Sequence, residues 1–183
     1  MDPKIDITII FFSTSRYEYL IPMMKSFHQN VDMSGCNIHK ILVDDYPLRR
    51  NKEVVNLVSE VYNIDKVIMH EENLGYSETW RRAWADYIPK DTDFVFHMEE
   101  DFVFNERINI KNICKIFNND SRLLYQIALK RKVFYNDGND FIQNVHYNKV
   151  GTDETICDVS LVLHNELFNA NPCIYPYWIT QEI

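Results

Sequence analysis

The chain has 183 residues, of which 46% are hydrophobic and 14% aromatic, and it carries a formal net charge of −8. That length suits a single domain over residues 1–183, and that composition supplies a real core, which excludes intrinsic disorder. The acidic balance excludes the basic footprint of a nucleic-acid binder, and no apolar run approaches the ~20 residues that a membrane-spanning helix needs.

Taken in order, Ile5–Phe12 is rich in β-branched and aromatic residues and reads as a buried strand, broken by Ser13-Thr14-Ser15-Arg16. Tyr17–Asn30 places Leu20, Met23, Met24 and Phe27 at helical spacing, with Pro22 within about the first turn. Ile38–Val43 is a second strand, ended by Asp44-Asp45-Tyr46-Pro47. Asn51–Tyr62 is a helix with Val54, Val55, Val58 and Val61 along one face, and Lys66–His70 is a third strand. Asn73-Leu74-Gly75 is a turn, after which Ser77 caps a helix running to about Ile88 with Trp80, Ala83, Trp84 and Tyr87 inward. Phe94–Met98 is a nearly continuous apolar run, the pattern of a strand buried on both faces of a parallel sheet. Beyond it, Ile110–Phe117 reads as a helix and Leu123–Leu129 as a strand. Phe134–Asn148, with the turn signal Asn136-Asp137-Gly138-Asn139-Asp140, reads as a hairpin, Ile156–Leu163 as a strand, and the end as an aromatic loop.

Alternating strands and helices call for a parallel sheet with right-handed crossovers, and ligands of such sheets sit beyond the carboxyl ends of the strands. Four polar clusters fall there: Ser13–Arg16, Asp44-Asp45, Asn73–Gly75 and Glu99-Glu100-Asp101. The last is a triplet of carboxylates clamped between apolar segments, which is costly unless positive charge offsets it. A divalent cation held by one or two carboxylates, with phosphate oxygens completing its shell, is one answer; an acidic turn reaching water is the other. The chain has four glycines and neither a Walker-type loop nor a Gly-x-Gly-x-x-Gly fingerprint, and no Gly-x-Ser-x-Gly elbow marks a serine hydrolase. The four cysteines (Cys36, Cys114, Cys157, Cys173) stand far apart without metal-ligand spacing. Free thiols in a reducing compartment follow, and with a start (Met1-Asp2-Pro3-Lys4) unlike a signal peptide the expected location is cytoplasmic.

The opening ITIIFFSTSR, the strand ending ILVDD, the segment NLGYSETWRRAW and the Asp-x-Asp-like Glu99-Glu100-Asp101 together resemble metal-dependent glycosyltransferases of the GT-A fold, close to glycosyltransferase family two. The later stretch FNANPCIYPYWI resembles their acceptor-side region, so the resemblance runs from about Ile5 to Ile179. It implies an α/β, Rossmann-like, mostly parallel central sheet flanked by helices, with a smaller antiparallel acceptor-side part. The nucleotide-binding part would cover about 1–105 and the acceptor side about 106–183, possible C-terminal truncation included.

The implied reaction passes a sugar, with inversion, from a nucleotide-diphosphate sugar, UDP-sugar favoured, to a hydroxyl of a glycan or other acceptor. Ser13, Thr14, Ser15 and Arg16 would line the nucleotide pocket, and Asp44 or Asp45 would accept from the base or ribose. Asn73 and Gly75 would bring backbone close, and Arg81, rather than Arg82, would reach the phosphates. Asp101 takes the direct metal-ligand position for Mn²⁺ or Mg²⁺, with Glu99 as its helper facing sugar or ribose. Glu100 counts with the nucleotide-side residues but is turned the other way, as a bystander. For the base that deprotonates the acceptor, Asp153 and Asp158 are favoured over Glu154 and Glu182, with a base outside this chain as the alternative. A metal-dependent nucleotidyltransferase or phosphohydrolase and a non-catalytic nucleotide-sugar-binding module stand as alternatives. His97 reads as a satisfied core histidine rather than a ligand.

Overall fold

Strand formation follows the apolar runs. The computed structural model describes residues 4–119, 126–129, 154–156, 159–161 and 172–181. Its strands are Ile5–Ser13 (β1), Val31–Asp32 (β2), Cys36–Asp44 (β3), Lys66–Met69 (β4), Phe94–Glu99 (β5), Ile108–Asn109 (β6), Ile127–Ala128 (β7), Glu154–Ile156 (β8), Val159–Leu161 (β9) and Cys173–Pro176 (β10). The main sheet has the order β4-β3-β1-β5-β10-β7. Its first four strands are parallel, while β10 runs antiparallel to both β5 and β7. The chain steps outward from β1 through β3 to β4 and then returns to β1's other side with β5, so the order reverses between β1 and β5. A crevice at that reversal is where open α/β sheets hold ligands. Two smaller pairings, β2 with β6 and β8 with β9, complete the described strands.

The two faces of β1 explain the layers. Ile7, Ile9 and Phe11 enter one core with Leu20, Met24, Phe27, Val55, Phe96 and Ile113. Ile10 and Phe12 enter the other, with Val43, Trp80, Trp84, Val95 and Tyr175. Alternation of side chains along the strand sends these sets to opposite faces, and helices cover both.

The helices are Tyr17–Asn30 (α1), Lys52–Tyr62 (α2), Tyr76–Arg82 (α3) and Ile110–Asn119 (α4). Pro22 is the sixth residue of α1, deeper than the first turn expected of it. A mid-helix proline costs ~3 kcal/mol, but Leu20, Met23, Met24 and Phe27 are wholly buried, and each contributes about 1.5–3 kcal/mol. Burial wins. Asn51 caps α2, its side chain accepting from the amides of Glu53 and Val54. The start of α3 corrects the expected cap: Gly75, at φ 75°, precedes the helix, and Ser77 lies inside it. The last expected turn widens to a π-helix over Ala83–Tyr87. Where one strand was expected over Ile156–Leu163, the antiparallel pair β8–β9 stands. Of the strand expected at Leu123–Leu129, only Ile127–Ala128 is assigned among the described residues. The hairpin expected at Phe134–Asn148 lies outside the described residues, as do Asp153, Asp158 and Glu182. Among the described residues no helix is long and apolar enough to cross a membrane.

Candidate functional site at the carboxyl edge of the sheet

At the end of β1 the chain turns through Ser13–Arg16, and Glu100, just past β5, ties that turn down. Glu100 Oε2 accepts from Ser13 Oγ at 2.7 Å and from the Thr14 amide at 3.0 Å. Its Oε1 accepts from Thr14 Oγ1 at 2.6 Å and from Arg16 Nε at 2.6 Å. Both oxygens are thus saturated, and the residue is 2% exposed. The bystander reading of Glu100 is corrected here: it is the clasp across the sheet's reversal. Alternation along β5 does turn it away from Glu99, but the direction it takes is inward. Burial works against the charge of Arg16, while the bond and the negative charge of Glu100, with Asp101 beyond, raise its pKa overall.

Ser15 completes the turn with φ 60°, unusual for a residue with a side chain. Its hydroxyl lies 2.9 and 2.8 Å from the two oxygens of Asp44 and 3.1 Å from the Tyr46 carbonyl, and its amide donates to Ser13 Oγ. Asp44 is fully buried. Arg50 compensates it, with Nη2 3.3 Å from Asp44 Oδ1, 3.0 Å from the Asp44 carbonyl and 2.8 Å from the His70 carbonyl. Asp44 therefore holds structure together. Asp45 is the member of the pair that faces the next loop: Oδ1 accepts from the Leu74 amide and Oδ2 from the Gly75 amide, at 3.0 and 2.9 Å. His70 Nδ1 stands 2.7 Å from Asp45 Oδ1, and His70 Nε2 stands 2.8 Å from the Tyr87 hydroxyl. Asn73 Oδ1 also accepts from the Gly75 amide. A Cβ on Gly75 would meet nothing within 4 Å, so its glycine is required by backbone conformation and not by crowding.

Three of the four expected clusters are therefore joined by direct bonds: Ser13–Arg16 to Glu100 and to Asp44. The fourth, Asn73–Gly75, joins through Asp45. Arg81 bonds elsewhere. With Arg82 it clasps Glu78, at 2.7 and 2.9 Å, and those two bonds pull the Glu78 carboxyl down to about 2.

Glu99 and Asp101 keep capacity that Glu100 lacks. Glu99 Oε1 is buried with no hydrogen-bond partner among the described residues. Its neighbour His97 Nε2 is 3.7 Å away, too far for a hydrogen bond. The Asp101 side chain is 37% exposed, and its nearest cation is Arg16 Nη2 at 3.7 Å. Two hard oxygen donors of this kind fit Mg²⁺ or Mn²⁺, provided a ligand's oxygens supply the rest, since no group of three or more potential metal-binding side chains assembles among the described residues. Tyr76, 53% exposed, stands beside Glu99. Burial of the phenol, the Glu99 charge and a hydrogen bond to Glu99 all raise its pKa. Its ring rests on Trp80 at 5.3 Å, and Trp80 rests on His97 at 3.9 Å. His97 is a core residue as expected, but not a satisfied one: neither ring nitrogen has a hydrogen-bond partner among the described residues.

Sequence reasoning missed Arg50, His70 and Tyr76 as parts of this edge. His70 could have been found, since it follows β4 directly and the carboxyl-end rule covers that strand too. Arg50 lies only six residues from Asp44, but its bond to the His70 carbonyl, which fixes it at this edge, is met only through the fold.

No protein-family model matches the sequence, and no curated protein matches it significantly. Solved structures do. TarS 1-349 of S. aureus in complex with UDP is similar with a TM-score of 0.65 at 17% identity, over 97% of this chain and 48% of that one. The same protein in complex with UDP-GlcNAc gives 0.53 at 15%, over 74% and 37%. The mannosyltransferase PcManGT of Pyrobaculum calidifontis, in complex with GDP-Man and Mn²⁺, gives 0.52 at 9%, over 72% and 37%. The chain spans about half the length of TarS 1-349. The fold is that of GT-A glycosyltransferases, with a mostly parallel sheet flanked by helices and a small antiparallel part.

Proposed function

We propose that this chain is a glycosyltransferase domain that takes a nucleotide-diphosphate sugar, a UDP-sugar above others, and transfers the sugar with inversion to a hydroxyl of a glycan or similar acceptor. The observation that carries the reading is the bonded edge at the β1–β5 reversal, where Glu99 and Asp101 alone of the triplet retain capacity for a ligand. The nucleotides held by the structural neighbours support it.

The part of the chain over about 1–105 binds the donor. Asp45, whose Oδ2 accepts one bond within the protein, accepts from the base or ribose. Thr14 and the Asn73–Gly75 backbone line the pocket, and Arg16, beside Asp101, meets the diphosphate. Ser13, Ser15, Asp44 and Glu100 act by fixing these walls. Arg81 serves the phosphates only by leaving Glu78. Asp101, with Glu99, would hold Mn²⁺ or Mg²⁺, which when bound stabilises negative charge on the departing diphosphate. The acceptor side, about 106–183, supplies the base; Asp153 and Asp158 are the candidates, one of them removing the acceptor's proton as its oxygen attacks the anomeric carbon.

Calorimetric titration of UDP with and without Mn²⁺ tests the reading. Binding that strengthens at least tenfold with Mn²⁺, and loses that gain in Asp101→Ala, is expected, since about 1.4 kcal/mol separates those outcomes. Metal-independent binding, or none, removes Asp101 from this role.

A further inference from the structure

The Asp45–His70–Tyr87 chain is a hydrogen-bonded array that neither the resemblance nor the metal site accounts for. Asp45 and His70 are 5% and 7% exposed. As a carboxylate, Asp45 can only accept, so the 2.7 Å contact requires the proton on His70 Nδ1. On the uncharged ring Nε2 is then an acceptor, and the Tyr87 hydroxyl at 2.8 Å is its donor. Tyr87 closes the π-helical segment, its ring flanked by Lys66 at 5.5 Å, so the array is anchored in secondary structure at its far end. At its near end Asp45 accepts from two consecutive amides, Leu74 and Gly75, which sit just before α3. The array thus runs from a helix through an imidazole and a carboxylate to the loop that lines the pocket.

We infer that His70 is a positioning residue of the donor site: its Nδ1–H fixes the Asp45 carboxylate, and through it the Leu74–Gly75 backbone, in the orientation that receives the nucleotide. This rests on the proposed donor-binding reading. The two amides hold one oxygen each, at 3.0 and 2.9 Å, and the shorter His70 bond at Oδ1, 2.7 Å, ties the carboxylate and that loop to a third, buried element. With Oδ1 taken by His70 and Leu74, the open position is on Oδ2, beside the Gly75 amide. A bond of this kind to a charged group changes affinity by about tenfold when lost.

Two amide substitutions separate the loss of one ring nitrogen's bond from the loss of the other's. Asn places an amide N–H near where Nδ1 was, and Gln places one near where Nε2 was. His70→Asn is expected to bind UDP within about threefold of the wild type, and His70→Gln about tenfold more weakly. Equal affinities for the two variants would overturn the inference while leaving the donor-site reading intact. Absence of UDP binding by the wild type would instead overturn that reading. Independently of any variant, the ¹⁵N shifts of the uncharged His70 ring in the wild-type protein report the tautomer. The Nδ1–H form is expected, and the Nε2–H form would sink the inference even if both variants fail to fold.

Discussion

Glu100 and Asp101 are neighbours in the chain whose replacement should have contrasting effects. Removing the Glu100 carboxylate in Glu100→Ala leaves Ser13 Oγ, the Thr14 amide and Thr14 Oγ1 without their acceptor. Losing an acceptor for buried donors costs ~1–3 kcal/mol each, and part of that returns through water at the exposed Thr14 and the half-buried Arg16, so a total of about 3 kcal/mol is expected. Asp101, with its half-exposed carboxylate and a single distant cation, should cost less than about 0.5 kcal/mol as Asp101→Ala. Urea unfolding of the two variants checks this; a larger stability loss for Asp101→Ala would mean that the triplet's structural and ligand-side members have been exchanged. The sequence showed a knot of three negative charges but not which one was neutralised. Alternation along a strand gives a direction, whereas the partners of Glu100 lie more than eighty residues earlier in the chain.

At the scale of elements, the strands β1, β3, β4 and β5 and the helices α1 and α2 were legible because long apolar or periodic runs ended at unmistakable polar breaks. The short pieces were not. The pairs Val31–Asp32 with Ile108–Asn109, and Glu154–Ile156 with Val159–Leu161, are two and three residues long, below the length at which periodicity carries information. The helix after Gly75 was found but its cap misplaced, since a Ser-x-x-x pattern competed with a glycine whose left-handed conformation is invisible in sequence. The capping of α2 gives a prediction at this scale. Asn51 receives two amide bonds at 3.0 and 3.3 Å, so Asn51→Ala should remove ~1 kcal/mol. Calorimetry should then show a melting temperature lower by about 2–4 °C, given the size of the domain. An unchanged melting temperature would show that solvent satisfies that helix start equally well.

For the whole molecule, stability should fall in mild acid because of a ring that resists protonation. His97 is wholly buried against Phe12 and Trp80, and burial lowers its pKa below the ordinary value of 6.5 despite the nearby Glu99. Above that value the ring is uncharged in both folded and unfolded chains, and pH has no leverage through it. As pH drops below it, the unfolded chain takes up a proton that the folded ring refuses, so stability declines by up to about 1.4 kcal/mol per pH unit. His28, lowered chiefly by burial too, acts in the same direction. Thermal melts between pH 8 and 5.5 should show a steeper acid loss for the wild type than for His97→Leu; parallel profiles would remove His97 from the account. The reversal of strand order between β1 and β5 has a consequence of a different kind. It makes the joins at that edge long-range closures, as in the bond between Ser13 and Glu100, 87 residues apart. The entropy of bringing such distant segments together is lost when the chain folds, with only ~0.6 kcal/mol added per doubling of loop length. A ligand arriving at that edge finds walls already ordered and does not have to supply the ordering from its own binding free energy.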